Sequence, residues 1–210
     1  MRKPKTLKSL EALGRVRLSS SFYLRNFLHS EVANFYGIPN IPDDPDLAIA
    51  AGRGLCENVL QPLHDTFGAL EIRSAFRSVR VNRYCNRHGG NCDANDKNYA
   101  RHIWDRRDAD GYFGAVACVM LPWYLPRYEK TGDWRPLAWW LFDHLPCWEL
   151  QFFPNNAAFN VGWHENPGRP RLIRSYAAPQ KGIVTRPGMA NYAGSHARHY
   201  RGFPRLQRAA

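Results

Sequence analysis

The segment of residues 147–176, CWELQFFPNNAAFNVGWHENPGRPRLIRSY, decides the predicted fold. It starts as an apolar, aromatic run, breaks at the PNN sequence of residues 154–156, and continues as a second apolar run to Trp163. Two short apolar runs on either side of a Pro-Asn turn predict a β-hairpin or another strand pair. His164 would then end a buried strand, which is a rigid position for a metal ligand or a catalytic imidazole. A histidine packed in an aromatic core is the alternative.

Length and composition predict one folded domain with terminal extensions. The chain has 210 residues, of which 44% are hydrophobic and 13% aromatic, so it can bury a substantial core. We expect a basic tail over residues 1–20, a domain over 21–177 and a basic, loop-rich tail over 178–210. No apolar run reaches the roughly 20 residues that cross a bilayer. The N-terminus lacks the apolar block of a secretory signal, which favours the cytoplasm.

The charge of the chain indicates an anionic partner. Its net charge is +11 and its pI about 9.7. Such a balance is typical of proteins that bind nucleic acid, an anionic cell-wall polymer or a membrane surface. The two ends are the most basic parts, and Arg208 belongs to the second of them. A solvated basic surface without a partner is the alternative.

Five cysteines cannot all pair with one another. Cys85 and Cys92 flank His88 in a short loop, where they could form a disulfide or contribute to a metal site. Structural zinc usually needs four ligands at tighter spacing, so we expect reduced thiols in a cytoplasmic protein. The other three cysteines lie in apolar surroundings that predict buried thiols: Cys56, Cys118 and Cys147.

The remaining pattern predicts helices around a few strands. An amphipathic helix is expected from residue 21 to Gly37, and a second from residue 47 to Gly68 with a kink or a break near Pro62. Residues 69–78 and the apolar run 114–125 are expected to be strands, and the segment after Tyr176 is expected to be loop-like. Together these elements predict an α+β fold, a small, mainly antiparallel sheet flanked by helices.

A signature sequence lies at residues 72–78, IRSAFRS, with Asn82 four positions beyond its last serine. It resembles the S-G-Y-R-S-x-x-x-N motif of the zinc D-alanyl-D-alanine carboxypeptidases. That superfamily also contains murein endopeptidases, phage endolysins and the hedgehog signalling domain. The resemblance implies a hedgehog/DD-peptidase-like fold. It also implies that Arg77 binds a peptide carboxylate bidentately, beside Ser74 and Asn82 as substrate-binding residues. A structural salt bridge is the alternative for Arg77.

The same resemblance implies a zinc site. The family carries a His and an Asp in H-x-x-G-x-A-x-D and a second His after a late strand. His102 is similar to the first histidine, but the spacing of the family would place the acid at Ala109. With one inserted residue the ligand is Asp110, and Asp108 is the second choice. His164 is similar to the second histidine, so the implied ligands are His102, Asp110 and His164.

The general base is the least matched part of the family pattern. Many members carry a Glu shortly before the second histidine, but residues 157–163 contain no acid. Glu165 is our first choice and Glu149 the second, although Glu165 would point to the opposite strand face from His164. In such a site zinc lowers the pKa of bound water to about 7, and a carboxylate accepts its proton during attack on an amide.

The expected function is that of a zinc-dependent peptidase or amidase acting on peptidoglycan stem peptides. Without a secretory signal, such an enzyme would need another route to the cell wall, as phage lysis enzymes have through a holin. The missing upstream Glu and the irregular Asp spacing favour an alternative, a catalytically silent member of the same fold that binds cell wall or assembles with partners. A basic nucleic-acid-binding protein is the third possibility, supported by charge and interleaved aromatics but by no recognisable module.

Overall fold

The computed structural model describes residues 1–207, and residues 208–210, which include Arg208, lie outside it. The α-helices are α1 (Leu7–Gly14), α2 (Glu31–Phe35), α3 (Pro45–Leu55), α4 (Gln61–Phe67), α5 (Val79–Arg87), α6 (Asn95–Asn98), α7 (Leu125–Thr131) and α8 (Arg135–His144). The strands are β1 (Glu71–Ser74), β2 (Gly114–Met120), β3 (Glu149–Phe152), β4 (Phe159–His164), β5 (Leu172–Ser175) and β6 (Gly182–Thr185). Among residues 1–207, no helix has the length and apolar character needed to cross a bilayer.

The six strands form one sheet in the order β1-β2-β4-β3-β5-β6. All neighbours are antiparallel except β3 and β5, which run parallel. The predicted hairpin at the PNN sequence is confirmed, because β3 pairs with β4 from Phe152 opposite Phe159 to Glu149 opposite Gly162. The prediction of an α+β fold with a mainly antiparallel sheet is therefore confirmed.

The two faces of the sheet differ in polarity, since successive residues of a strand point to opposite faces. One face is apolar and packs against α3 and the other helices of the main core. Its fully buried side chains are Ala115, Ala117, Val119, Leu150, Phe152, Phe159, Val161 and Ile173. The opposite face carries polar side chains, and the candidate site lies there.

The helix predicted from residue 47 to Gly68 is confirmed, and it is irregular near Pro62 without a gap between its helical turns. It begins at Asp44, whose carboxylate accepts a hydrogen bond from the Leu47 amide at 3.1 Å. Between α3 and α4 lies a π-helical turn, Cys56–Leu60. Proline in a regular α-helix would clash with the carbonyl four residues earlier, and the wider π turn just before Pro62 avoids that contact.

Gly54 allows α3 to approach the sheet closely. A Cβ atom at Gly54 would lie 2.2 Å from Cζ3 of Trp163 on β4, so the indole ring would have to move. We expect Gly54→Ala to destabilise the protein by about 1–3 kcal/mol, the usual effect of overpacking, although alanine favours helix. Urea unfolding measures this change. In a Trp163→Leu background the same substitution should be nearly neutral, and an equal loss in both backgrounds would contradict the close contact.

The single helix predicted over residues 21–37 is wrong. The segment forms a 3₁₀ turn at Leu24–Phe27 and then the short α2. Ser30 separates the two, because its hydroxyl accepts a hydrogen bond from the Ala33 amide at 3.3 Å and so caps α2. A serine in this role favours a helix start over a helix interior.

The two segments predicted as tails pack on the main core. Leu13 and Leu18 are fully buried in it, and Tyr200 and Phe203 pack against it from the C-terminal side. The segment expected to be loop-like also supplies β6. Within residues 1–207, both ends therefore belong to the folded body rather than to loose tails. Their apolar residues are few and widely spaced, which hid this packing.

Candidate functional site

A row of polar side chains crosses the open face of the sheet. Strand register places Cys118 opposite Asn160, Asn160 opposite Gln151, and Gln151 beside Arg174. Ser74 of β1 continues the row, since it pairs with Cys118. Residues opposite one another on paired strands share a face, so the five side chains lie next to one another across five strands.

This row forms the floor of a cleft of about 720 Å³, within the range of ligand sites. Its walls come from residues 90–93, Asn98, Arg101 and His102, and its rim includes Phe153 and Tyr176. Three arginines line it, and we call it the arginine cleft after them: Arg77, Arg101 and Arg174.

Arg77 is held at the cleft by both backbone and side-chain contacts. Its amide donates to the His102 carbonyl at 2.8 Å, and its Nη1 donates to Asn82 Oδ1 at 3.3 Å and contacts Cys92 Sγ. Burial, with a smaller effect of the Arg101 cation, lowers the pKa of Arg77 to about 10. The guanidinium therefore remains charged at neutral pH, as a carboxylate partner requires.

The signature residues around Arg77 have separate structural tasks. Ser78 caps α5 by accepting from the Val81 amide at 3.2 Å. Asn82, expected to bind substrate, is fully buried and does not line the cleft. Its Nδ2 instead donates to the Asp93 carbonyl at 3.0 Å and so fixes the cleft wall. Ser74, the other expected substrate-binding residue, does line the cleft.

His102 and Cys118 bring an imidazole and a thiol into the cleft. Nδ1–H of His102 donates to the Ala75 carbonyl at 2.8 Å. Burial and the Arg77 cation hold the pKa of His102 well below its ordinary value, so the ring is neutral. Burial raises the pKa of Cys118 to about 11. Its thiol is therefore protonated at neutral pH and is not a nucleophile.

His164 lies in a different cluster, with Asp108 and Arg169. Its Nε2 is 2.9 Å from Asp108 Oδ2, and Arg169 Nη1 is 2.7 Å from the same oxygen. The guanidinium also stacks 4.2 Å from the Trp148 ring. Burial raises the pKa of Asp108, but hydrogen bonds from Tyr112, His164 and Arg169 outweigh it and the net shift is downward. Burial lowers the pKa of His164, and Asp108 only partly opposes this.

Asp108, not the preferred Asp110, lies beside His164. Asp108 Oδ1 accepts from the amides of Asp110 at 3.1 Å and Tyr112 at 3.0 Å, which closes a tight turn around its own carboxylate. This turn leaves the Asp110 side chain exposed to solvent. Of the two candidate acids, Asp108 therefore contacts His164 and Asp110 does not.

The implied ligands His102, Asp110 and His164 are not brought together. His164 lies four residues beyond Asn160 on β4, roughly 13 Å along the strand, whereas His102 lines the cleft. Arg169 Nη1, 2.9 Å from His164 Nε2, fills the position that a further ligand would need. Within residues 1–207, no three His, Cys, Asp or Glu side chains form a group suited to a metal ion. The residues present therefore do not fit the implied zinc site.

The two candidate bases are also placed elsewhere. Glu165 is exposed, and its carboxylate accepts from the Phe113 amide at 3.3 Å and lies 3.4 Å from Arg107. Glu149 is buried on β3 and pairs with Arg101 at 2.8 Å. Burial raises the pKa of Glu149, against the opposing effect of Arg101. Both carboxylates thus serve contacts within the protein, and neither lies in a metal site.

Cys85 and Cys92 form a disulfide, which corrects the expectation of reduced thiols. The bond joins α5 to the loop that forms one wall of the cleft. Cys56 and Cys147 are buried free thiols, as predicted, while Cys118 is only partly buried.

Most of the cleft was missed from the sequence. Its floor consists of single polar residues within otherwise apolar strands, such as Asn160 in FNVGWH and Gln151 in ELQF. A polar residue that interrupts an apolar strand was the available signal for this floor. The sequence pattern instead placed His164 of the predicted site at a strand end. Comparisons with models of protein families, with curated proteins and with solved structures give no match. The chemistry of the cleft is therefore the basis of the functional proposal.

Proposed function

We propose that the arginine cleft binds a carboxylate-bearing peptide of the kind found in peptidoglycan stem peptides. In this proposal the chain is a non-hydrolytic relative of the zinc DD-peptidases, with their hedgehog/DD-peptidase-like fold. The observation that carries it is the charged Arg77 guanidinium, held in place by Asn82 and the cleft wall. A guanidinium fork binds a carboxylate through two parallel hydrogen bonds.

The rest of the cleft suits such a ligand. Arg174 adds positive charge, whereas the charge of Arg101 is paired with Glu149 at 2.8 Å. The one acid on the walls, Asp93, is exposed and 3.9 Å from Arg101. On the floor, Gln151 and Asn160 each supply an amide with donors and an acceptor, which matches the groups of a peptide backbone. Arginine guanidinium groups beside neutral amides favour an anionic peptide over a cationic one.

The chemistry around His102 supports binding without hydrolysis. Catalytic zinc needs three protein ligands and an open position. Near His102 the cleft offers a protonated thiol at Cys118 and the amides of Asn160 and Gln151, but no second imidazole. Zinc-dependent hydrolysis remains a prediction from the family resemblance. The zinc ligands that the resemblance implies lie apart in the fold.

Arg77→Lys tests the carboxylate role. We expect a peptide ending in D-Ala-D-Ala to bind the variant at least about tenfold more weakly, because lysine lacks the two-pronged fork. Isothermal titration calorimetry with the free-acid and the amidated peptide makes the measurement. The amidated peptide should bind the unaltered protein about as weakly as the free acid binds the variant.

Arg201→Lys is the matched control, since Arg201 is exposed and outside the cleft. Equal binding of the acid and the amide, or no binding of either, would contradict the proposal. Zinc content and peptide cleavage are measured on the same samples. Stoichiometric zinc together with cleavage would replace the binding proposal by the zinc peptidase.

A further inference from the structure

Helix α5 presents a row of arginines to solvent. Arg80, Arg83 and Arg87 are all exposed, and at about 100° per residue they fall within an arc of about 60°. Among residues 1–207, none of the three forms an ion pair with a carboxylate. The row is thus a concentrated positive surface, distinct from the arginines of the cleft.

A chain of aromatic rings in contact with one another begins on the same helix. Tyr84 stacks on His88, with ring centroids 3.9 Å apart and planes 15° apart. Tyr36 lies 4.6 Å from Tyr84, and Phe35 lies 4.8 Å from Tyr36. We call these four residues the aromatic ladder.

At the outer end of the ladder, two large aromatic side chains are exposed to solvent. Phe35 is 81% exposed and Tyr36 48% exposed, so these rings contribute little to the core. Large aromatic side chains exposed together, beside a charged surface, are typical of binding sites. Tyr84 lies about 40° around the helix from Arg80, which places the ladder directly beside the arginine row.

We infer that the arginine row and the aromatic ladder bind single-stranded nucleic acid. Phosphates bind exposed guanidinium groups, and unpaired bases stack on exposed aromatic rings. The arginine row lies beside Tyr84 on α5, and Tyr36 and Phe35 continue the ladder at the end of α2. This arrangement suits the backbone and bases of one strand. The net charge of +11 would also attract such a polyanion over longer distances.

The rings favour nucleic acid over an acidic polymer without bases. A polyphosphate or an acidic cell-wall polymer would use the arginine row and leave Phe35 and Tyr36 in water. Only a ligand with flat rings accounts for both features. The surface acts independently of the arginine cleft, so Arg77→Lys should leave it unchanged.

Fluorescence anisotropy with a labelled single-stranded oligonucleotide tests the arginine row. We expect the triple variant Arg80→Ala/Arg83→Ala/Arg87→Ala to bind at least about tenfold more weakly at moderate salt. The slope of log affinity against log salt should shrink by about 2, or 0.7 for each lost phosphate contact. The control loses the same charge at exposed positions elsewhere: Arg186→Ala, Arg201→Ala and Arg205→Ala. Equal loss in both triple variants would overturn the proposal.

Inorganic polyphosphate, which has no bases, tests the ladder. Phe35→Ala/Tyr36→Ala should weaken oligonucleotide binding about tenfold and leave polyphosphate binding unchanged, since only the oligonucleotide has bases that stack on these rings. Both residues are exposed, so the fold should persist, and circular dichroism verifies this. If the ladder variant binds both ligands as the unaltered protein does, the surface is a general polyanion site and the proposal fails. It also fails if the oligonucleotide does not bind the unaltered protein.

Discussion

Replacing Arg101 by Met is expected to destabilise the protein by about 3–5 kcal/mol, the usual effect of removing one partner of a buried ion pair. Arg101 Nη2 lies 2.8 Å from Glu149 Oε1, and the two side chains are 17% and 2% exposed. Glu149 Oε2 has no hydrogen-bond partner, so without Arg101 the carboxylate would be buried and uncompensated. Burial already raises the pKa of Glu149, and proton uptake by the carboxyl would limit the loss.

Denaturant unfolding of single and double variants measures this effect. Arg101→Met/Glu149→Leu should recover most of the lost stability, because an apolar pair replaces the ion pair without leaving a charge. Glu149→Gln should be milder than Arg101→Met, since it removes charge but keeps hydrogen-bonding groups. A loss below about 1 kcal/mol for Arg101→Met, the range of exposed pairs, would contradict the buried pair.

The elements that the sequence predicted correctly are those with local signals. The β3–β4 hairpin follows from two apolar runs around one turn, and the helix from residue 47 follows from its apolar spacing, within two residues of the observed start of α3 at Pro45. The predicted helix over 21–37 failed where Ser30 acts as a cap. Apolar spacing predicted helix there, and a single side-chain hydrogen bond to the backbone decided otherwise.

The site depends on register and strand order, which local patterns do not contain. The sequence suggested that His102 and His164 bind one metal ion together. In the structure His164 lies on β4 four residues beyond Asn160 of the cleft floor. β5 lies beside β3, so Arg174 enters the floor only through a parallel pairing. A shift of one residue in register would turn each floor side chain to the other face. Arg77 was easier to place, because Ser78 fixes the start of α5 directly after it.

The Cys85–Cys92 disulfide links the two proposed binding surfaces. Cys85 lies on α5, which carries the arginine row, and Cys92 lines the arginine cleft. Arg77 Nη1 contacts Cys92 Sγ. The loop that carries Cys92 therefore positions both the cleft wall and Arg77, the residue proposed to bind the carboxylate. The disulfide therefore connects the helix of one proposed surface to the wall of the other.

Acidification from pH 7 to pH 5 is expected to lower the free energy of unfolding, because the pKa values of His102 and His164, and that of the less buried His199, are lowered in the folded protein. The folded pKa of His102 lies well below 6.5, its value in an unfolded chain, and that of His164 is also lowered. Below pH 6.5 the unfolded chain therefore binds more protons than the folded one, and stability falls as pH falls. The contribution of His102 to the slope of unfolding free energy against pH reaches about 1.4 kcal/mol per pH unit. The contribution of His164 stops at a higher pH, because its pKa is lowered less.

Urea unfolding at pH 7, 6 and 5 measures this slope, and His102→Gln isolates the part that comes from one imidazole. Glutamine can still donate a hydrogen bond to the Ala75 carbonyl but does not titrate, so the slope should fall by about 1.4 kcal/mol per pH unit. Glu149, with a raised pKa, acts in the opposite direction, and Asp108, with a lowered one, loses its contribution only below about pH 4. Both carboxyl groups are present in the unaltered protein and in His102→Gln, so their effects cancel when the two slopes are subtracted. His29→Gln, at an exposed position, is the control, and an unchanged slope in His102→Gln would mean that His102 is not a buried neutral group.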